Sequence, residues 1–264
     1  MLNVDDIYGT NLESFLTDVN DLLNQLFTHP VLDIRSFRAT RLDYCFNVKT
    51  SYVSMYIDLL NRAFRMTNNG SRVNHVQENQ LSGSVYIKTK HDYDHNERRN
   101  YVLNYYDKSD WLEKKRKIHR KTHPLDFKFA KDALRLEVQC GYQFIKQLCE
   151  EHNISNRFEL LLSYEIALWA EENIYNRIFK NSSTLDFFTY EAAKKKMPSE
   201  SAKKVLLASA IGKRITGSEY DYGRKLIRTA GVFPFCFLSR NSPQSTLPSP
   251  IKLLKEKCCY SHCV

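Results

Sequence analysis

The nine residues NYVLNYYDK, positions 100–108, place apolar and polar side chains alternately. Successive side chains of a strand project to opposite faces. Asn104, Tyr106 and Lys108 are therefore expected on one face, with Leu103 and Tyr105 on the other. Upstream, SGSVYIKTK (82–90) repeats the alternation, with Ser84, Tyr86 and Lys88 opposing Val85 and Ile87. The two runs read as the arms of a long hairpin, joined by the charged stretch HDYDHNERR (91–99). Working outward, RATRLDYCFNV reads as a strand from Arg38 to Val48, and LRLEVQC (134–140) as another. In the first, Arg41, Asp43, Cys45 and Asn47 oppose Leu42, Tyr44, Phe46 and Val48. In the second, Arg135, Glu137 and Gln139 oppose Leu134, Leu136, Val138 and Cys140. Four strands thus each carry one apolar and one polar face, the pattern of a half-buried antiparallel sheet.

The flanking segments have helical spacing. Leu12, Phe15, Leu16, Val19, Leu22, Leu23 and Leu26 form one stripe, and Tyr52, Val53, Tyr56, Ile57, Leu60 and Phe64 form a second. LDFKFAKDA (125–133) is ambiguous. Beyond Gly141 come a helix in YQFIKQLCEEH, one long helix in RFELLLSYEIALWAEENIYNRIF (157–179), and two shorter ones in 201–214 and 220–231. The Ser- and Pro-rich sequence after Ser239 reads as a loose tail. The fold class expected is α+β: an antiparallel sheet with helices on one face, followed by a mostly helical C-terminal extension. The corresponding domains are 1–150, 151–240 and a tail 241–264.

The polar sheet face combines carboxylates, cations and a tyrosine. Asp43 and Glu137, brought together, would offer hard oxygen donors to Mg²⁺ or Mn²⁺, and such an ion would polarise a scissile phosphate. A free tyrosine has a pKa near 10 and is a poor nucleophile until a cation or metal assists it. Lys108, in phase with Tyr106, is expected to give that help or to stabilise transition-state charge. Tyr105 faces the apolar side, so Tyr106 is the candidate nucleophile. The bland reading of the same residues is the solvated side of a sheet.

Lys and Arg number 39 against 30 Asp and Glu, a net charge of +9. That excess suits a polyanionic partner, nucleic acid before an anionic membrane, although a basic soluble enzyme fits it equally well. EKKRKIHRK, directly after the candidate nucleophile, supplies Lys114, Lys115, Arg116, Lys117, Arg120 and Lys121 as a phosphate-gripping run. Arg41, Lys88 and Arg135 are the further cations assigned to DNA from the sheet face, with Gln139 supporting the carboxylates. MLNVDDIYGTN has neither the basic nor the apolar part of a signal peptide, and no apolar run approaches a membrane span. Seven cysteines, an odd number, suggest reduced thiols and a cytoplasmic setting. Cys258, Cys259, His262 and Cys263 crowd the C-terminus but are spaced poorly for zinc. The His91/His95 and His119/His123 pairs read as surface histidines.

Taken in order, RLDYCFN, GSVYIK, LNYYDK and LRLEVQC resemble the replication-initiation proteins of the filamentous-phage gene II and gene X family. They are also similar to rolling-circle plasmid initiators of the RepC/RepD group. Those families carry an Arg-hydrophobic-Asp strand, then a Tyr-x-Lys strand, then an Arg-hydrophobic-Glu strand; the likeness covers residues 38 to 141. It implies that Tyr106 attacks a phosphate of origin DNA, duplex or single-stranded, to form a 5′-phosphotyrosyl link and release a priming 3′-OH. It implies Asp43 and Glu137 as metal carboxylates, Lys108 as helper, and a host helicase and polymerase as partners. The His-hydrophobic-His metal motif of the wider rolling-circle superfamily is absent. The competing expectation is a non-catalytic DNA-binding protein, a repressor or replication accessory, with a helix-turn-helix in 201–228.

Overall fold

A computed structural model describes residues 12–26, 33–67, 75–77, 84–89, 100–114, 117, 121–179, 184–186, 190–210, 218, 222–223, 225–226, 230 and 246–258. The chain divides into two compact units: Met1–Ser51 with Val73–Ile178, and Tyr52–Arg72 with Phe179–Val264. This differs from a boundary near residue 150. The helices up to Ile178 group with the sheet, and Tyr52–Arg72 groups with the C-terminal part.

The first unit is built on an antiparallel sheet in the order β1-β5-β4-β3-β2. Its strands are β1 (Arg41–Lys49), β2 (His75–Gln77), β3 (Ser84–Thr89), β4 (Tyr101–Asp107) and β5 (Ala133–Gly141). β4 and β5 are neighbours in the interior of the sheet. Phe46, Ile87, Leu103, Tyr105 and Leu136 are fully buried on one face, each side chain contributing about 1.5–3 kcal/mol by leaving water.

Three helices cover that face: α5 (Tyr142–His152), α6 (Phe158–Leu161) and α7 (Tyr164–Phe179). Tyr44 Oη donates to Leu161 O at 2.6 Å, Phe46 meets Tyr164 edge-on at 5.9 Å, and Tyr101 meets Phe144 at 5.5 Å. The single long helix expected over 157–179 is broken at Leu162–Ser163. There the Ser163 hydroxyl accepts from Ile166 N at 3.3 Å and starts α7 afresh. At the other end of α5, Asn153 closes the helix in the left-handed conformation at φ 52°, its N–H bonded to Cys149 O and Glu150 O.

α1 (Leu12–Leu26) forms where its periodicity predicts. Among the described side chains of its stripe Leu16 is fully buried, and Leu22 and Leu26 are exposed. Its polar side is tied to the segment ahead of β1, with Asn20 Oδ1 accepting from Ile34 N at 2.7 Å and Glu13 paired to Arg35 at 2.8 Å.

Between β4 and β5 lie α3 (Lys108–Lys114) and α4 (Pro124–Ala130). Asp107 ends β4 and caps α3: its carboxylate accepts from Ser109 N at 2.8 Å and Asp110 N at 3.2 Å. The ambiguous 125–133 segment is mostly helical because Pro124 opens α4, and Phe127 and Ala130 pack on Leu112 and Trp111.

In the second unit, α2 (Val53–Thr67) buries Tyr56, Leu59, Leu60 and Ala63. Tyr56 Oη donates to Pro248 O at 2.9 Å. β6 (Thr184–Asp186) pairs with β7 (Thr246–Pro248), and α8 (Tyr190–Lys195), α9 (Glu200–Ala210) and α10 (Pro250–Cys258) complete the described elements. The loose tail expected after 240 is thereby corrected. Ser249 caps α10 through Lys252 N at 3.1 Å, and Leu247, Ile251 and Leu254 are buried. Of the expected helix-turn-helix, α9 is formed. Most of its second helix lies outside the described residues, although a Cβ on Gly223 would meet Val205 Cγ2 at 2.4 Å, so that glycine permits a close approach to α9. Among the described residues, no helix is long and apolar enough to cross a membrane.

Candidate functional site

Strand register assembles three cross-strand rows on the polar face. Ser84, Tyr106, Arg135 and Asn47 form the first, with Tyr86, Asn104, Glu137 and Cys45 next to it. Lys88, Val102, Gln139 and Asp43 form the third. The parity read from the sequence places all of these side chains on the same side.

Tyr106, Arg135 and Glu137 form the centre and are almost entirely enclosed, at 4%, 4% and 2% exposed. Tyr106 Oη donates to Glu137 Oε2 at 3.2 Å, and Arg135 Nε lies 3.7 Å from the same oxygen. Gln139 Nε2 donates to Glu137 Oε1 at 3.3 Å, while Arg135 reaches back to Asn47 Oδ1 at 3.3 Å and Cys45 Sγ at 2.8 Å. The carboxylate therefore receives a donor on each oxygen, which is how a buried charge is tolerated. Burial raises the Tyr106 pKa well above that of a free phenol; Arg135 opposes the rise and Glu137 adds to it.

Lys108 does not continue the strand. Asp107 turns the chain into α3, and Lys108 Nζ lies over the Trp111 ring at 4.6 Å, a cation–π contact. Trp111 in turn stacks on Tyr106 at 5.8 Å and 29°. Lys108 and Tyr106 thus both contact the Trp111 ring. A signal for this was present in the sequence: Asp107 followed three residues later by Asp110 has the spacing of a helix start.

Asp43 is engaged by Arg41 in a two-point pair, Nε to Oδ1 at 2.8 Å and Nη2 to Oδ2 at 2.7 Å. The guanidinium is 61% exposed, the carboxylate 18%. Each expected metal carboxylate is therefore met by an arginine. A divalent cation would have to displace Arg41 and compete with Arg135, so the donor set as arranged does not fit one. Among the described residues, no three His, Cys, Asp or Glu side chains converge as a metal site.

Lys88 sits half-buried on β3. Lys114 pairs with Asp110 at 2.7 Å, and Lys117 is exposed with a left-handed φ of 53°. Lys115 and Arg116 lie outside the described residues, as do His91, His95, His119 and the Cys259–Cys263 cluster. Arg135, expected on an open DNA-facing surface, is enclosed. His123 is exposed, 3.6 Å from Asp126.

Behind the sheet is a titratable group that the alternation pattern did not single out. Glu171 of α7 is completely buried. Burial lifts its pKa from near 4.5 to about 8, with Tyr105 pulling it down and the charge of Glu137 pushing it further up. The Tyr105 hydroxyl and both Glu171 oxygens are enclosed without a well-formed hydrogen bond. A carboxyl held neutral relieves most of the cost of that position.

Searches with protein-family models, among curated proteins and among solved structures found no match to this chain.

Proposed function

We propose that this chain is a rolling-circle replication initiator that nicks and rejoins origin DNA through a 5′-phosphotyrosyl intermediate on Tyr106. The observation that carries the reading is the Tyr106–Glu137 hydrogen bond beside Arg135, on the motif strands that resemble phage and plasmid initiators. In this chemistry Glu137 takes the phenolic proton as general base. The Tyr106 oxygen bonds to phosphorus, the bond from phosphorus to the 3′-oxygen breaks, and that oxygen takes a proton from water to leave as a 3′-OH. Arg135 faces the negative charge that develops on the phosphoryl oxygens. Because one ester replaces another, a later 3′-OH reverses the step without ATP. The enclosed Tyr106 must become accessible to a DNA phosphate before it can act.

The enclosure of Tyr106 and its raised proton affinity favour a second reading, a non-catalytic DNA-binding protein that keeps the sheet of an initiator. One experiment separates the two. The protein is incubated with supercoiled origin DNA, or a labelled single strand, with Mg²⁺ or Mn²⁺, and resolved on a denaturing gel beside Tyr106→Phe. Nicking predicts a covalent adduct that disappears in the variant; loss with EDTA would establish the metal dependence. Adduct retained in Tyr106→Phe moves the nucleophile elsewhere. Salt-sensitive binding without adduct on any DNA of its own replicon selects the non-catalytic reading.

A further inference from the structure

The short helix α4 carries apolar side chains on its outer side as well as on the side that faces the core. Its inner side, Phe127 and Ala130, is buried on Leu112 with Trp111 alongside. Its outer side presents Leu125 and Phe129, one helical turn apart, at 67% and 73% exposed. Together they make a small exposed apolar patch on the helix.

The platform is held rigidly. Lys49 of β1 donates its ammonium to Phe129 O and, at 2.7 Å, to Lys131 O, fastening the C-terminal end of α4 to the sheet. Asp132 then turns in the left-handed region at φ 55°, its carbonyl accepting from Thr50 N at 2.8 Å. On its inner side α4 packs with the same Trp111 that stacks on Tyr106.

Charge identifies the occupant. From Lys114 to Lys131 the sequence carries eight Lys and Arg against one acid, Asp126. Asp126 lies 3.6 Å from His123. The exposed apolar pair therefore stands within a strongly cationic segment. Aromatic rings ringed by cations bind unpaired bases, whose faces stack while the phosphates meet the cations. A duplex offers such a face only at its ends.

We propose that Leu125 and Phe129 form a stacking platform for single-stranded DNA, with an unpaired base on Phe129 and the flanking phosphates on Lys121, Lys128 and Lys131. This rests on the nucleic-acid reading above and adds to it where the melted strand lies as it approaches Tyr106.

The test is fluorescence anisotropy of the full-length protein with a labelled oligothymidylate and with a duplex of equal length. Phe129→Ala should weaken single-strand binding about tenfold, leave duplex binding within about twofold, and leave the salt slope unchanged, since no ion contact is lost. Phe129→Trp should restore binding and show indole quenching on DNA addition. Lys128→Gln should instead lower the salt slope. Equal losses of single-strand and duplex binding in Phe129→Ala, or no loss in either, would overturn the platform. So would a Phe129→Ala defect seen only on anionic vesicles or an acidic peptide, which would assign the patch to that partner. The denaturing-gel adduct assay, run in parallel on the same Phe129→Ala protein, separates this from the nicking reading. A Phe129→Ala defect in a protein that forms no adduct leaves the platform standing and removes the nickase. Adduct formation with unchanged Phe129→Ala binding does the reverse.

Discussion

Glu137 is asked to be two things, a buried charge and a base. As a buried charge it is held by Arg135, Gln139 and Tyr106. Removing a guanidinium from such a pair leaves a carboxylate unpaired, at a cost of about 3–5 kcal/mol. Arg135→Met should lower the melting temperature by ~6 °C or more in a chain of this size, measured by calorimetry. As a base it is probed by Glu137→Gln, which keeps the side chain's size but cannot accept the proton. In the nicking reading that change should slow adduct formation by about 10²–10⁴-fold, read by quenched time courses, while DNA affinity is kept. Glu171 gives the complementary pH prediction. Its folded pKa of about 8 exceeds its ordinary value near 4.5, so the folded state holds more protons between those limits. Stability should therefore fall as pH rises from about 4.5 to about 8 and level off beyond. Glu171→Gln should be more stable than the parent at pH 8 by a few degrees, with the difference vanishing near pH 4.5, in thermal melts across that range. The partners of Glu137 were legible in the sequence because strand parity is a local property. Glu171 was not, because it lies on a helix and its burial depends on a face that only the tertiary fold covers.

At the scale of elements, the sheet followed directly from alternation, and the register places side by side the four strands that parity singled out. Two helical features escaped. The pattern of 157–179 is continuous in hydrophobicity, and only the Ser163 cap reveals the break. Lys108 read as strand because alternation runs smoothly through it, whereas the Asp107 carboxylate captures two amide protons and turns the backbone. Asp107→Ala should cost about 1 kcal/mol, or roughly 2–4 °C. It should also loosen Trp111 from Tyr106, seen as a red-shifted or weakened tryptophan signal in near-UV spectra. Asp107→Asn, which still accepts the amide bonds, should restore most of both. The C-terminal strand and helix were missed for a different reason: Ser and Pro composition describes the approach to β7, while the burial of Leu247, Ile251 and Leu254 is set by long-range partners.

Over the whole molecule, charge is the feature easiest to read and the hardest to place. The net +9 belongs to the sequence, but Arg41, Lys114 and Arg135 are each met by an acid within the fold. In the nucleic-acid reading, duplex binding should accordingly weaken with salt at a log–log slope shallower than the −5 or so that six free phosphate contacts would give, measured by titration between 50 and 200 mM salt.

The division of the chain also has a consequence in time. α2 leaves the ribosome early, inside the sequence of the sheet unit, yet it belongs with residues from Phe179 onward. At ~5–20 residues per second, its own unit starts to emerge roughly five to twenty seconds later. During synthesis the buried face of α2, with Tyr56, Leu59 and Leu60, has no companions from its own unit. The nascent chain is then most open to capture by chaperones or to aggregation in that interval, and a translation pause placed after Thr67 would lengthen it.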